Sequence, residues 1–142
     1  MTILFVCTGN TCRSPMAAAL MRRRLDKCGR DAIIVESAGL AAAGGPASPG
    51  AMAAMREIGL SLTGHRSRQL TPDHCREADI LAVMSRQHEA LLMVSYDVPK
   101  EKIRILGGTG IPDPYGGNAE TYRATRELLA EAVDDLARSL GC

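Results

Sequence analysis

The chain has 142 residues, a formal net charge of +1 and 46% hydrophobic residues, so it is long enough for one core and too short for two ordinary domains. We therefore expect a single domain over residues 1–142. Basic and acidic residues are interspersed, and no apolar run reaches the ~20 residues that a bilayer crossing needs, so the composition predicts neither nucleic acid nor a membrane as a partner.

The first residues, the cysteines and the histidines indicate the cellular compartment and whether a metal or other cofactor is expected. The chain starts with a short β-like run that lacks the basic leader and cleavage motif of a secretory signal, which predicts a cytoplasmic address. We also expect a monomer. The five cysteines are an odd number and contain no C-x-x-C pair, a pattern that favours reduced thiols over a disulfide framework or a zinc site. The three histidines have no metal-ligand spacing, so we expect no metal and no other cofactor.

Apolar runs and proline or glycine punctuation predict alternating strands and helices. In chain order they are a strand over 2–6, a helix from 15 to about 28, a strand over 33–37, a helix from 49 to about 58, a short helix over 72–77, a strand over 80–84, a helix from 86 to about 94, a strand over 102–106 and a long amphipathic helix from 119. The expected N-caps are Ser14, Ser48, Thr71 and Ser85.

This alternation predicts an α/β fold, a three-layer sandwich whose four-stranded parallel sheet has helices on both faces. In such sheets ligands bind beyond the carboxyl ends of the strands. The segment Cys7–Ser14 leaves the first strand at that edge and opens into a helix. We therefore expect the functional site to be built around this loop.

A loop between a strand end and a helix start directs successive backbone amides, and the positive end of the helix, at one point where an oxyanion can bind. Gly9 permits a tight turn, Asn10 tolerates left-handed backbone, and Arg13 supplies a bidentate fork for phosphoryl oxygens. The same positive surroundings favour a Cys7 thiolate as nucleophile, to which the Ser14 hydroxyl can donate. Thr8, Gly9, Asn10, Thr11, Cys12 and Ser14 are the expected substrate-binding residues.

A leaving group needs a proton, and Asp113 lies between two prolines in a breaker-rich segment over 107–118. We interpret Asp113 as the general acid and later the general base, with Tyr115 as a wall of the cleft. Taken alone, Asp-Pro is more often a turn and Cys7 a buried apolar thiol. Cys12 is either inert packing or a partner that traps oxidised Cys7, and the residues leave both open.

The run Val6–Pro15, together with Asp113–Tyr115, resembles the low-molecular-weight protein tyrosine phosphatase family. The resemblance extends to 37–39 and 65–71 and covers nearly the whole chain. It implies a cytoplasmic protein phosphatase with a cysteinyl-phosphate intermediate, in which Cys7, Arg13 and Asp113 are catalytic. It also implies that Ser14, Ser37 and His65 hold Asn10 by hydrogen bonds.

Two departures from the tyrosine-specific pattern resemble the bacterial protein arginine phosphatases of this family. Thr11 stands where an aliphatic residue such as Ile is usual, and one aromatic residue is followed by Gly116-Gly117. That branch usually has Phe where this chain has Tyr115. The resemblance therefore implies phosphorylated proteins as partners and phosphoarginine as the preferred substrate, with phosphotyrosine as the alternative.

Two rivals differ in chemistry. An arsenate reductase shares the fold and the loop but needs further redox cysteines after the third strand, and residues 84–88 and their surroundings contain none. A non-catalytic phosphate-binding module would not need Cys7 or Asp113, and both are present. The sequence therefore favours a phosphatase.

Overall fold

A computed structural model describes all 142 residues as a parallel sheet between two layers of helices. The strands lie in the order β2-β1-β3-β4, and every neighbouring pair is parallel. The elements are β1 (Thr2–Cys7), α1 (Arg13–Lys27), β2 (Ile34–Gly39), α2 (Pro49–Arg56), α3 (Pro72–Glu77), β3 (Ile80–Val83), α4 (Arg86–Ser95), β4 (Ile103–Ile105) and α5 (Ala119–Ser139). The predicted α/β fold is confirmed.

The two faces of β1 enter different cores because successive side chains of a strand point to opposite sides. Ile3, Phe5 and Cys7 belong to a cluster of 28 buried residues shared with α1, α2 and α5. Leu4 and Val6 belong to a cluster of 11 on the side of α3 and α4. β1 is thus buried on both faces, and its carboxyl end lies in the middle of the sheet edge.

The cap predictions are confirmed for three helices and wrong for α1. Ser48, Thr71 and Ser85 each accept a hydrogen bond from an amide in the first turn of the helix that follows. The first helix instead begins at Arg13, after Cys12, with no side-chain cap. Ser14 does not cap it, because the Ser14 hydroxyl is engaged with Cys7 and Asn10.

The prediction that all cysteines are reduced is wrong for one pair. A disulfide joins Cys28, just after α1, to Cys142 at the end of the chain, with Cα atoms 5.9 Å apart. Cys7, Cys12 and Cys75 are free thiols. The odd cysteine count gave no indication of the pair, because the fold brings together residues separated by 114 positions.

The structure contains neither a membrane-spanning helix nor a metal-binding cluster. None of the helices has both the length and the apolar character that a membrane span requires. No group of three or more His, Cys, Asp or Glu side chains is arranged to hold a metal ion.

Candidate active site

A cleft of about 230 Å³ lies at the carboxyl edge of the sheet, around the loop that follows β1. Its lining combines loop residues with two residues of the segment after β4, namely Cys7, Thr8, Gly9, Thr11, Cys12, Arg13, Asp113 and Tyr115. The structure therefore brings together the thiol, the guanidinium and the carboxylate singled out from the sequence. Asn10 and Ser14, which were also expected to bind substrate, do not line the cleft, because both are fully buried.

The backbone of the loop has occupied carbonyls and unpaired amides. The carbonyl oxygens of Cys7, Thr8 and Thr11 accept hydrogen bonds from amides that follow β2, at Leu40, Ala41 and Ser48. The amides of Gly9, Thr11 and Cys12 donate to no group of the chain. With these three carbonyls occupied and these three amides free, the loop can bind an oxyanion.

The loop is packed tightly against the end of β2. A Cβ atom at Gly39 would lie 2.7 Å from the Thr8 carbonyl oxygen, closer than real Cβ contacts, and 3.0 Å from the Asn10 Cβ. Glycine at this position therefore lets the strand approach the loop, which accounts for the Ser-Ala-Gly ending of β2.

The Cys7 sulfur is the final acceptor of a chain of hydrogen bonds from Asn10 and Ser14. Its Sγ is 2.9 Å from Ser14 Oγ and accepts from the Asn10 amide at 3.3 Å. Asn10 Nδ2 donates to Ser14 Oγ at 2.7 Å. Because one lone pair of the serine oxygen is occupied in this way, the Ser14 proton is available for Cys7 Sγ, and the sulfur faces two hydrogen-bond donors.

Asn10 holds the loop in a strained backbone conformation, with φ of 56°. Its carbonyl oxygen lies 2.7 Å from His65 Nε2, and its Oδ1 accepts from the Arg68 amide at 3.0 Å. The prediction that Ser37 hydrogen-bonds to Asn10 is wrong. The Ser37 carbonyl oxygen instead accepts from Arg68 Nε. Arg68 was missed because its contact to Asn10 is made by the backbone.

Arg13 connects the loop to the segment that carries Asp113. The guanidinium is almost fully buried; Nη1 donates to the Ile111 carbonyl oxygen at 2.9 Å, and Nη2 lies 3.6 Å from Asp113 Oδ2. The Ile111 amide donates to the Met84 carbonyl oxygen at 2.8 Å. Ile111 is thus held from both sides, and Asp113, whose side chain is 53% exposed, is presented at the mouth of the cleft.

Asp113 forms a turn, and Tyr115 borders the cleft. The Tyr115 amide donates to Asp113 Oδ1 at 3.1 Å, which closes an Asx-type turn. Tyr115 is 78% exposed and borders the cleft. One aromatic face is therefore open to a substrate side chain.

The Cys12 thiol also lines the cleft, but it contacts different hydroxyl groups from those around Cys7. Its Sγ lies 3.1 Å from Ser48 Oγ and 3.6 Å from the Tyr122 hydroxyl. Burial raises the pKa of Tyr122, so this phenol stays protonated at neutral pH. Tyr122, on α5, thus joins that helix to the loop.

One histidine beside the site was missed. His88 is buried at the start of α4, and its Nε2 lies 3.0 Å from Thr8 Oγ1. Burial and the nearby Arg13 guanidinium lower the pKa of His88 to about 4, against an opposing effect of Asp113. The contact between these two residues could have been anticipated from the strand order, because Thr8 and His88 follow the adjacent strands β1 and β3 at the same edge of the sheet.

The sequence and the fold resemble those of proteins of known activity. The model of the family described as low molecular weight phosphotyrosine protein phosphatase matches residues 2–141. A protein-arginine-phosphatase of Geobacillus stearothermophilus is 40% identical, over 97% of this chain and 95% of its own length. The low molecular weight protein-tyrosine-phosphatase Wzb of Escherichia coli K12 is 36% identical, over 97% and 94%.

A solved structure gives the same result. The YwlE arginine phosphatase, in a cysteine-to-serine mutant with a phosphorylated active-site serine, superposes with a TM-score of 0.93. The two chains are 36% identical, and the match covers 99% of this chain and 96% of the other. This chain therefore belongs to the low molecular weight phosphotyrosine protein phosphatase family.

Proposed function

We propose that this chain is a cysteine-dependent protein phosphatase that hydrolyses phosphorylated side chains, with phosphoarginine preferred, and that residues 1–142 act as a single cytoplasmic, monomeric phosphatase domain. The observation that carries the proposal is the Cys7 thiol, which lies in a loop of free amides and faces a cleft that also contains Arg13 and Asp113. This combination supplies a nucleophile, an oxyanion site and a proton donor.

In the first step the Cys7 thiolate attacks phosphorus in line with the bond to the leaving group. A bond forms between Sγ and phosphorus, and the bond from phosphorus to the substrate oxygen or nitrogen breaks. The loop amides and the Arg13 guanidinium stabilise the charge on the equatorial oxygens. The Asp113 carboxyl gives its proton to the departing atom.

In the second step Asp113, now a carboxylate, takes a proton from a water that attacks the cysteinyl-phosphate. The bond between phosphorus and Sγ breaks, and inorganic phosphate and the thiolate are released. The Ser14 hydroxyl, 2.9 Å from Sγ, stabilises the returning negative charge.

Asp113→Asn is expected to lower kcat by about 10²-fold for substrates with a basic leaving group, because an amide cannot give up the proton that the departing atom needs. The same change should affect an activated aryl phosphate much less, since that leaving group departs without a proton. Steady-state kinetics on both substrate types check this. An equal loss on both would show that Asp113 is not the acid, and Asp135→Asn on the exposed end of α5 is the matched control.

Substrate choice is proposed to depend on Thr11, which lines the cleft between Cys7 and Arg13. The guanidinium of phosphoarginine is polar right up to phosphorus, so a hydroxyl in the wall can hydrogen-bond to it or orient the hydrolytic water. An isoleucine there would favour an aryl ring. The Geobacillus relative named as a protein-arginine-phosphatase supports phosphoarginine, while the exposed Tyr115 ring and the relative Wzb favour phosphotyrosine as the second candidate.

Thr11→Ile is expected to shift the ratio of phosphoarginine to phosphotyrosine kcat/KM by about tenfold toward phosphotyrosine, the effect of one lost hydrogen bond to the substrate. Paired peptides that differ only in the phosphorylated residue measure the ratio for both proteins. Thr63→Ile, at an exposed threonine outside the cleft, is the control and should leave the ratio unchanged. An unchanged ratio in Thr11→Ile would contradict the role of Thr11.

A further inference from the structure

His88 makes a single side-chain hydrogen bond in the protein. Its side chain is buried, with 5% of the residue exposed, and Nε2 lies 3.0 Å from Thr8 Oγ1. The other ring nitrogen, Nδ1, is buried without a partner. The backbone amide of His88 donates to Ser85 Oγ, which holds the ring at the first turn of α4.

An apolar side chain would fill this space without leaving a nitrogen unpaired, and an unpaired buried polar atom destabilises a fold. Packing therefore does not account for a histidine here. The contact that distinguishes histidine from an apolar residue is the one to Thr8, which lines the cleft next to Cys7.

The surroundings determine which nitrogen carries the proton. An orphaned N–H is rarer in buried sites than an orphaned acceptor, and the Arg13 cation nearby disfavours a further positive centre. The neutral ring protonated on Nε2 satisfies both conditions. In that tautomer Nε2 donates to Thr8 Oγ1, and Thr8 keeps its own proton as a donor.

We propose that His88 is a positioning residue of the phosphatase reaction, which fixes the Thr8 side chain so that its hydroxyl donates into the cleft and the start of the loop is held in its anion-binding shape. The inference rests on the proposed function. Thr8 is then held at two points, at its carbonyl oxygen by the Ala41 amide at 2.8 Å and at its hydroxyl by His88. The pKa of His88, lowered to about 4, keeps the ring neutral, and its donation intact, throughout the neutral range.

The test is a double-mutant cycle with conservative rescue. Thr8→Val and His88→Leu are each expected to lower kcat/KM for a phosphorylated peptide about tenfold, and the double variant should lose no more than either alone, because all three remove the same bond. Thr8→Ser and His88→Gln should retain near wild-type activity, since the hydroxyl and a donor at the position of Nε2 remain. Thr125→Val removes a buried hydroxyl bond within α5 and is the matched control.

A second readout does not depend on turnover. Inorganic phosphate should protect Cys7 from alkylation by iodoacetamide, followed by mass spectrometry of the Cys7 peptide. His88→Leu should need about tenfold more phosphate than the wild type for equal protection, and His88→Gln should not. This readout still tests the role of His88 if the wild type hydrolyses no phosphorylated peptide, a result that would overturn only the proposed function.

The inference is overturned if the losses of Thr8→Val and His88→Leu multiply in the double variant, or if His88→Gln loses as much as His88→Leu. Either result would show that the ring acts by packing rather than through the Thr8 hydroxyl. Thermal unfolding of each variant shows that the compared proteins are folded. Thr8→Val, at an exposed position, keeps the test valid if His88→Leu does not fold.

Discussion

Cys7→Ser is expected to abolish turnover, with kcat/KM reduced by about 10⁴-fold or more, while phosphate binding is retained. A serine hydroxyl gives up its proton far less readily than a thiol, and the hydrogen bonds around Cys7 come from the donors Ser14 and Asn10, with no base among them. The loop amides and Arg13 are untouched by the change. Phosphopeptide hydrolysis and calorimetric binding of inorganic phosphate measure the two properties separately.

The control for this variant is Cys75→Ser, which makes the same atomic change at a buried thiol in the core cluster beneath α3 and α4. It should leave kcat/KM unchanged. Retention of more than a small fraction of the activity by Cys7→Ser would contradict a cysteinyl-phosphate intermediate. Loss of phosphate binding as well as turnover would instead mean that the thiol is needed to keep the loop folded.

The loop could be predicted from the sequence because its features are local. A strand end, Gly9, Asn10, Arg13 and a helix start lie within a few residues, and backbone geometry determines where their amides point. Asp113 was assigned because a leaving group needs a proton and this carboxylate lies between two prolines, but its place in the cleft depends on the hydrogen bonds that hold Ile111. The wrong prediction that Ser14 caps α1 also has a local cause. A serine before proline is usually a good N-cap, but here its hydroxyl hydrogen-bonds to the Cys7 thiol.

The features that were missed depend on strand order and on the backbone. Thr8 and His88 are 80 residues apart and meet because β1 and β3 are neighbours in the sheet. Arg68 reaches Asn10 through its amide, which no side-chain pattern reveals. Tyr122 has the spacing of a core residue on α5, and only the contact between helix and loop shows that its hydroxyl meets Cys12. Contacts of this kind follow from tertiary packing rather than from local sequence.

The disulfide is the clearest contact that local sequence does not predict. It joins Cys28, just after the C-terminal end of α1, to Cys142 at the end of the chain. α1 begins in the site at Arg13 and ends just before Cys28, while Cys142 follows α5, which packs along α1. Two arginines, one in the last turns of α1 and one just after it, also hold the C-terminal residues against this end of the helix. Arg24 donates to the Cys142 carbonyl oxygen at 2.9 Å and pairs with Asp134, and Arg30 donates to the Leu140 carbonyl oxygen at 2.9 Å.

Opening this disulfide is expected to lower the free energy of unfolding by about 4 to 5 kcal/mol while leaving kcat unchanged at temperatures where the protein stays folded. The bond closes a loop of more than a hundred residues, so its main effect is on the entropy of the unfolded chain, and the arginine contacts remain in the folded protein after reduction. Denaturant unfolding with and without dithiothreitol measures the change. Cys28→Ser and Cys142→Ser should match the reduced wild type and lose their sensitivity to reductant, whereas Cys75→Ser should keep it. An identical midpoint in both conditions, with Cys28 and Cys142 both reactive to maleimide before reduction, would show that the pair is open in solution, and the predicted contribution to stability would then be wrong.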